Sequence, residues 1–170
     1  VGFFYGYFLF ATNTQYEGNA QMDRVLACPD VDFIASPTAY HFRAAGSASF
    51  EMTVTQSVNR EKVYMEETDT RTYLVAQAMA DAKSRDCNHT MEETRFSLWR
   101  GLCKNIVHGS GFWWMDLGRG WFDAPDILAE IAELTKAHEI LRPGEHKSAA
   151  DVLVVMDDKG MEHTQCNRFF

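Results

Sequence analysis

Short apolar runs recur along the chain with helix-patterned segments between them, and this alternation restricts the fold more than any other feature. The runs are Val1-Gly2-Phe3-Phe4-Tyr5-Gly6-Tyr7-Phe8, Val31-Asp32-Phe33-Ile34-Ala35-Ser36, Lys62-Val63-Tyr64-Met65-Glu66 and Phe112-Trp113-Trp114-Met115-Asp116-Leu117. Each reads as a strand, and the uncharged, Gly-bounded first run as a buried one. Residues 19–27 predict a helix carrying Met22, Val25 and Leu26, stopped before Pro29. Residues 38–49 have no period and mark a long loop, while residues 53–59 suit a short helix. The clearest helix is Met91–His108, where Phe96, Trp99, Cys103, Ile106 and Val107 fall at offsets 0, 3, 7, 10 and 11, one helical face. Gly109-Ser110-Gly111 stops it. Asp123-Ala124-Pro125 opens another helix, whose Ile127, Leu128, Ile131, Leu134, His138 and Leu141 share a face, and Pro143-Gly144 ends it.

Strands alternating with helices at this spacing imply parallel βα units. Four such units make either half of a TIM (β/α)8 barrel or most of an open doubly wound sheet. Polar residues gather at the strand ends, where a barrel keeps its catalytic side chains: Tyr40-His41, Glu66-Glu67 and Asp116. An α/β half barrel over residues 1–142 is therefore expected, followed by a linker at 143–150. Val152-Leu153-Val154-Val155-Met156 reads as a fifth strand that begins a second α/β unit over residues 151–170. The chain opens inside a strand-like run, which an intact domain seldom does, so it reads as a piece of a longer protein.

With 46% apolar, 24% charged and 13% aromatic residues, the 170-residue chain has the material for a packed core and is unlike a disordered tail. A net charge of −8 and the lack of any basic run set nucleic acid aside as a partner. No window approaches the ~18 consecutive apolar residues of a membrane span. The N-terminal apolar run is short and has no positive region before it, so it is not a signal peptide. Cys28, Cys87, Cys103 and Cys166 lie far apart with no C-x-x-C pair, which reads as free thiols in a reducing cytoplasm. The sequon Asn88-His89-Thr90 is a frequent chance match. The histidines show no metal-ligand spacing, and no G-x-G-x-x-G loop follows any strand, so no cofactor is implied.

The segment Met65-Glu66-Glu67-Thr68-Asp69-Thr70-Arg71-Thr72 is the richest in chemistry. A carboxylate just past a buried strand can act as a nucleophile, and a nearby arginine can hold it ionised. The competing reading is a solvated charged loop. Pleating turns Glu66 and Glu67 to opposite faces, so only one of them can point into a barrel mouth. The same holds for Trp113 and Trp114, one of which must be core. Indole faces stack on the apolar C–H faces of sugars, so Trp113, Trp114 and Trp121 suit a carbohydrate site as well as a core. Asp116 suits either a sugar hydroxyl or the cap of the following turn.

Met65-Glu66-Glu67 with Asp69-Thr70-Arg71-Thr72, then Gly109-Ser110-Gly111-Phe112-Trp113-Trp114-Met115-Asp116, resembles the back half of a catalytic barrel. The pattern is similar to the β-galactosidase-like enzymes of glycoside hydrolase family 42 and their relatives in the retaining barrel clan. Asp30-Val31-Asp32-Phe33-Ile34-Ala35-Ser36-Pro37 fits it, and Asp151-Val152-Leu153-Val154-Val155 resembles the start of the flavodoxin-like trimerisation domain that follows such barrels. The resemblance spans residues 1–157 and implies strands 5–8 of the barrel, with the nucleophile at the end of strand seven. The related pattern Glu-x-Asp-x-Arg-Thr selects Glu67, whereas the Met-Glu spacing of family 42 proper selects Glu66. Asp69 and Arg71 become positioning groups, and Tyr40, His41 and Arg43 lie in a loop on the active face.

Retaining glycosidases need a second carboxyl group as acid/base about 5 Å from the nucleophile. In this clan it is a Glu after an Asn at the end of strand four, ahead of where this chain begins, and Tyr16-Glu17-Gly18 does not match it. The implied function is a segment of a retaining β-glycosidase acting on a carbohydrate, inactive alone. Its implied partner is the remainder of the same enzyme or a second copy in a homo-oligomer. The alternatives are a non-catalytic carbohydrate-binding or assembly piece and an open α/β sheet with an unrelated ligand.

Overall fold

Four of the apolar runs pair side by side into one parallel sheet: β1 (Gly2–Phe4), β2 (Phe33–Pro37), β3 (Val63–Thr68) and β4 (Gly111–Trp114), in the order β1-β2-β3-β4. The helices are α1 (Met22–Ala27), α2 (Tyr73–Ala78), α3 (Met91–His108), α4 (Pro125–Leu141) and α5 (Asp158–Met161). This computed structural model describes residues 2–4, 21–38, 43–47, 62–78, 87–118, 120–141, 149, 151–152, 155, 157–161 and 163. The four strands follow chain order without the reversal that creates the switch point of a doubly wound sheet.

The longest helix takes its limits from local chemistry. Thr90 Oγ1 accepts the Glu93 amide of the first turn at 3.1 Å, and Glu93 Oε2 reaches back to the His89 amide, just before the cap, at 2.6 Å. At the other end Gly109 takes φ +64°, while its amide reaches Ile106 O and the Ser110 amide reaches Asn105 O. That is a left-handed glycine stop, favoured where no Cβ stands in the way. In α4, Pro125 occupies the first position, where its missing N–H costs nothing.

Pleating sorts the strand residues onto two faces. Ile34 and Tyr64 are register partners and pack with Met22 and Val31 into one buried cluster on the helix side. Phe112 and Trp114 lie on that same side, against the cluster of Leu98, Leu102, Phe122, Ala124, Ile127 and Leu134 that joins α3 to α4. The two helices are further tied by Glu130, which accepts Trp99 Nε1 at 2.5 Å and Arg95 Nε at 2.7 Å. The opposite face carries Phe33, Ala35, Pro37, Val63, Met65, Glu67, Gly111 and Trp113. At its lower end Phe33 and Val63 remain 38% and 57% exposed. A Cβ at Gly111 on this face would lie 2.3 Å from Met65 Sδ, so a larger residue there would require the flexible Met65 side chain to shift.

Several expectations change. Phe96, Cys103 and Val107 do not face the core; Phe96 and Val107 are 61% and 70% exposed. The buried face of α3 is Thr94, Ser97, Leu98, Gly101, Leu102 and Asn105. Its polar members are satisfied internally: Thr94 Oγ1 accepts the Tyr73 amide, Ser97 Oγ donates to Asn88 Oδ1, and Asn105 Nδ2 donates to Gly101 O. Hydrogen bonding and the Leu pair therefore chose the face, not the larger apolar stripe. In α4, Ile127 and Leu134 are buried, while Leu128 and Leu141 of the expected face are exposed.

The third strand runs through Glu67 and Thr68, beyond the expected end at Glu66. The fourth spans Gly111–Trp114, shorter than expected, and Leu117 is exposed. Of the expected fifth strand only Val152 and Val155 are described, both exposed and, among the described residues, outside the sheet; Leu153, Val154 and Met156 lie outside the described residues. Within that C-terminal stretch, Lys159 on α5 places Nζ 3.0 Å from Asp23 Oδ2 on α1. The short helix expected at 53–59 also lies outside the described residues.

Candidate carboxylate site at the strand ends

Glu67 is the penultimate residue of β3, paired in register with Pro37 on β2 and Trp113 on β4. It is 9% exposed and faces away from the helices. Its backbone is fixed on both sides: the Thr38 amide donates to Glu67 O at 3.3 Å, and the Met115 amide donates to Thr68 O at 2.9 Å. Burial raises the proton affinity of its carboxyl, the charge of Asp69 raises it further, and the charge of Arg43 opposes both.

Asp69, just past the strand, is fully buried and forms an ion pair with buried Arg43, with Nη1 2.7 Å from Oδ2. The same Nη1 donates to Asp69 O at 3.2 Å, and Thr38 Oγ1 donates to Asp69 Oδ1 at 3.3 Å. The expected arginine, Arg71, does not take this place. Among the described residues it makes no ion pair, and its carbonyl accepts the amide and side-chain Nδ2 of Asn88, both at 3.0 Å. Arg71 lies three residues past the end of β3, whereas the 43–47 loop brings Arg43 onto Asp69.

The solvated-loop reading of this segment is overturned, because Glu66, Glu67, Thr68, Asp69, Thr70 and Thr72 are all buried. Glu66 is buried on the opposite face from Glu67. Its Oε2 lies 2.6 Å from Lys104 Nζ on α3, and Thr68 Oγ1 donates to its Oε1 at 3.3 Å. Glu66 thus sits in the layer between sheet and helix, away from the face that Glu67 shares with Trp113.

Trp114 is the helix-side indole. Its ring meets Phe112 edge-on at 5.2 Å and Phe122 at 5.9 Å. Trp113, half-buried, stands on the Glu67 face. Asp116 forms a turn cap: Oδ2 accepts the amides of Gly120 at 2.6 Å and Trp121 at 3.1 Å. Trp121 packs beside the α3–α4 cluster, and its carbonyl accepts the Thr72 hydroxyl. These contacts bind the loop after β4 to the end of the Glu67 segment without bringing Trp121 onto the Glu67 face. Tyr40 and His41 lie outside the described residues, as does Glu17.

Three residues hold the site: Arg43, which the family resemblance places on the active face with Tyr40 and His41, and Arg100 and Asn88, to which the sequence assigns no part in it. The small-residue run Ala44-Ala45-Gly46 after Arg43 allows close approach. Arg100 on α3 donates from Nη1 to Ala44 O at 2.8 Å and Ser47 O at 2.7 Å, and from Nη2 to Arg43 O at 2.6 Å. Asn88 is fully buried; its Oδ1 accepts the Ala45 amide and Ser97 Oγ, both at 2.9 Å. The sequon asparagine is therefore an internal brace, closed to a glycan in the folded chain.

Among the described residues, no group of three or more His, Cys, Asp or Glu could hold a metal ion. Cys28, Cys87 and Cys103 are free thiols. No helix of the described residues is long and apolar enough to cross a membrane. No family model matches the chain, and neither a curated protein nor a solved structure matches it.

Proposed function

We propose that the chain is the C-terminal half, about strands 5–8, of a retaining β-glycosidase barrel of β-galactosidase type, with Glu67 as its nucleophile. The observation that carries this reading is the pairing of Glu67 with Trp113 on the sheet face away from the helices, at the ends of parallel strands. Carboxylates at that end of parallel strands meet substrates in barrel enzymes. The uninterrupted strand order supports a barrel over a doubly wound sheet.

In this reading Glu67 attacks the anomeric carbon while the glycosidic oxygen leaves with a proton from an acid outside the described residues. Water then releases the sugar from the glycosyl ester. Arg43 favours the ionised nucleophile, and Trp113 offers its indole to the sugar's C–H face. The exposed Phe33 and Val63 support a further part of the barrel, from the same enzyme or a second copy, because parallel sheets are covered on both faces. The β-galactoside substrate and a trimeric assembly rest on the family resemblance alone. The free thiols suit the cytoplasm.

An aryl β-galactoside with a dinitrophenolate leaving group tests the chemistry, since that group departs without an acid. The chain alone is expected to release one phenolate per site and then stop, a burst without turnover that disappears in Glu67→Gln; no burst contradicts Glu67 as nucleophile, and sustained hydrolysis lost in Glu67→Gln contradicts the missing acid. A non-catalytic carbohydrate-binding piece is the second reading. It is favoured by the commitment of Asp69, the carboxylate acting on Glu67, to its ion pair with Arg43. Sugar-dependent quenching of tryptophan fluorescence that persists unchanged in Glu67→Gln, without a burst, selects it.

A further inference from the structure

We propose that Lys104 is a positioning residue for the site: by holding Glu66 on the helix side of β3, it decides which of two adjacent glutamates stands opposite Trp113. The inference rests on the reading of Glu67 as the reacting carboxylate and names what selects it over its neighbour.

The apolar pattern of β3 does not make that choice. Pleating divides Val63-Tyr64-Met65-Glu66-Glu67-Thr68 into two sets, with Tyr64, Glu66 and Thr68 toward the helices and Val63, Met65 and Glu67 on the other face. Tyr64, Glu66 and Thr68 are buried, whereas Val63 is exposed and Met65 half-buried. A shift of one residue along the strand exchanges the two sets. Apolar burial does not oppose the exchange, because Val63 and Met65 turn toward the helices as Tyr64 turns away.

What opposes it is polar. Lys104 Nζ on α3 lies 2.6 Å from Glu66 Oε2, with Glu66 fully buried and Lys104 nearly so. Thr68 Oγ1 donates to Glu66 Oε1 at 3.3 Å, and Tyr64 OH shares a buried hydrogen bond of 2.6 Å with Ser36 Oγ on β2. When Glu66 moves to the Trp113 face, Met65 takes its former place, so the ammonium meets a thioether instead of a carboxylate. An ion kept from water without its counter-ion costs far more than one neutral hydrogen bond. The Lys104–Glu66 pair is therefore the larger barrier and the Tyr64–Ser36 bond the smaller.

The end of the strand leaves room for this shift. Asp69 keeps Arg43 and Thr38 if Glu67 and Thr68 together take the place of Thr68, as a one-residue bulge. The opposite shift, which brings Glu67 to Lys104, leaves the chain a residue short of Asp69 and breaks the Arg43 pair. Lys104 thus blocks the one direction that delivers the wrong glutamate to the site face. Fixing a register is the best-attested use of a polar group buried in a packed layer.

The test is the set of backbone NOEs that identifies the residue opposite Trp113, measured in the wild type, Lys104→Arg and Lys104→Met. We expect Glu67 in the wild type and in Lys104→Arg, which keeps the charge, and Glu66 in Lys104→Met. A merely stabilising lysine would leave that pairing unmoved, and folded Lys104→Met with Glu67 still opposite Trp113 overturns the inference. If Lys104→Met does not fold, Met65→Glu decides, because it keeps the lysine and offers it a carboxylate one place earlier. Glu66 opposite Trp113 in Met65→Glu supports the inference, and Glu67 there overturns it. Trapping with an activated 2-deoxy-2-fluoro-β-galactoside separates the two levels, with the label expected to move from Glu67 to Glu66 in Lys104→Met. A trapped wild type whose label stays on Glu67 in Lys104→Met removes the selection and keeps the nucleophile. A register that moves in a protein that is never trapped keeps the selection and removes the nucleophile.

Discussion

Glu67 and Trp113 are register partners on β3 and β4, and both project to the sheet face away from the described helices. Their chain neighbours Glu66 and Trp114 project the other way, one to Lys104 and the other into the aromatic cluster with Phe112 and Phe122. The pleat thus divides each adjacent pair into one residue of the candidate site and one of the interior.

That division predicts opposite phenotypes for the two tryptophans. Trp114→Ala should lower unfolding free energy by roughly 3 kcal/mol, since it removes an aromatic body from the α3–α4 cluster. Trp113→Ala should cost much less and abolish any sugar-dependent change in fluorescence. Urea denaturation and a galactoside titration of both variants check this; equal stability losses would contradict the assignment.

The Glu67 carboxyl carries a second prediction. Its folded-state proton affinity is raised by burial and by Asp69, so the folded chain holds this proton over a pH range in which the unfolded chain has lost it. Stability contributed by this group therefore falls as pH climbs from the unfolded value to the folded one. Glu67→Gln, which stays neutral, should be more stable than wild type at pH 7 and should lose that advantage as pH drops below the ordinary glutamate value of 4.5. Thermal unfolding at several pH values measures it, and an advantage that grows toward acid would reverse the sign of the argument.

Arg43 and Asp69 form a buried pair, so removing either alone strands the other's charge. Arg43→Met and Asp69→Asn should each cost about 3–5 kcal/mol. The double variant should cost less than the two losses combined, because no uncompensated charge remains. A double-mutant cycle by chemical denaturation gives the coupling; strict additivity would mean the pair is not formed.

How much of this was legible in the sequence follows from how local each cause is. The bounds of Met91–His108 were readable because Thr90, Glu93 and Gly109 act within one turn of the ends. Its buried face was not, because Thr94, Ser97 and Asn105 become acceptable inside only through partners such as Tyr73, Asn88 and Gly101. The alternation of Glu66 with Glu67 was readable, whereas the side covered by helices depended on where α1 and α3 pack. Arg43 meets Asp69 across 26 residues, and no period or spacing announces that contact. Arg71 is closer in sequence, yet among the described residues it makes no ion pair with Asp69.

The most direct measurement is peptide mapping after exposure to a 2-deoxy-2-fluoro-β-galactoside bearing a dinitrophenolate leaving group, in the wild type, Glu66→Gln and Glu67→Gln. The account predicts one added fluorosugar on Glu67 in the wild type and in folded Glu66→Gln, and none in Glu67→Gln. A label on Glu66, or one that survives in Glu67→Gln, would contradict it.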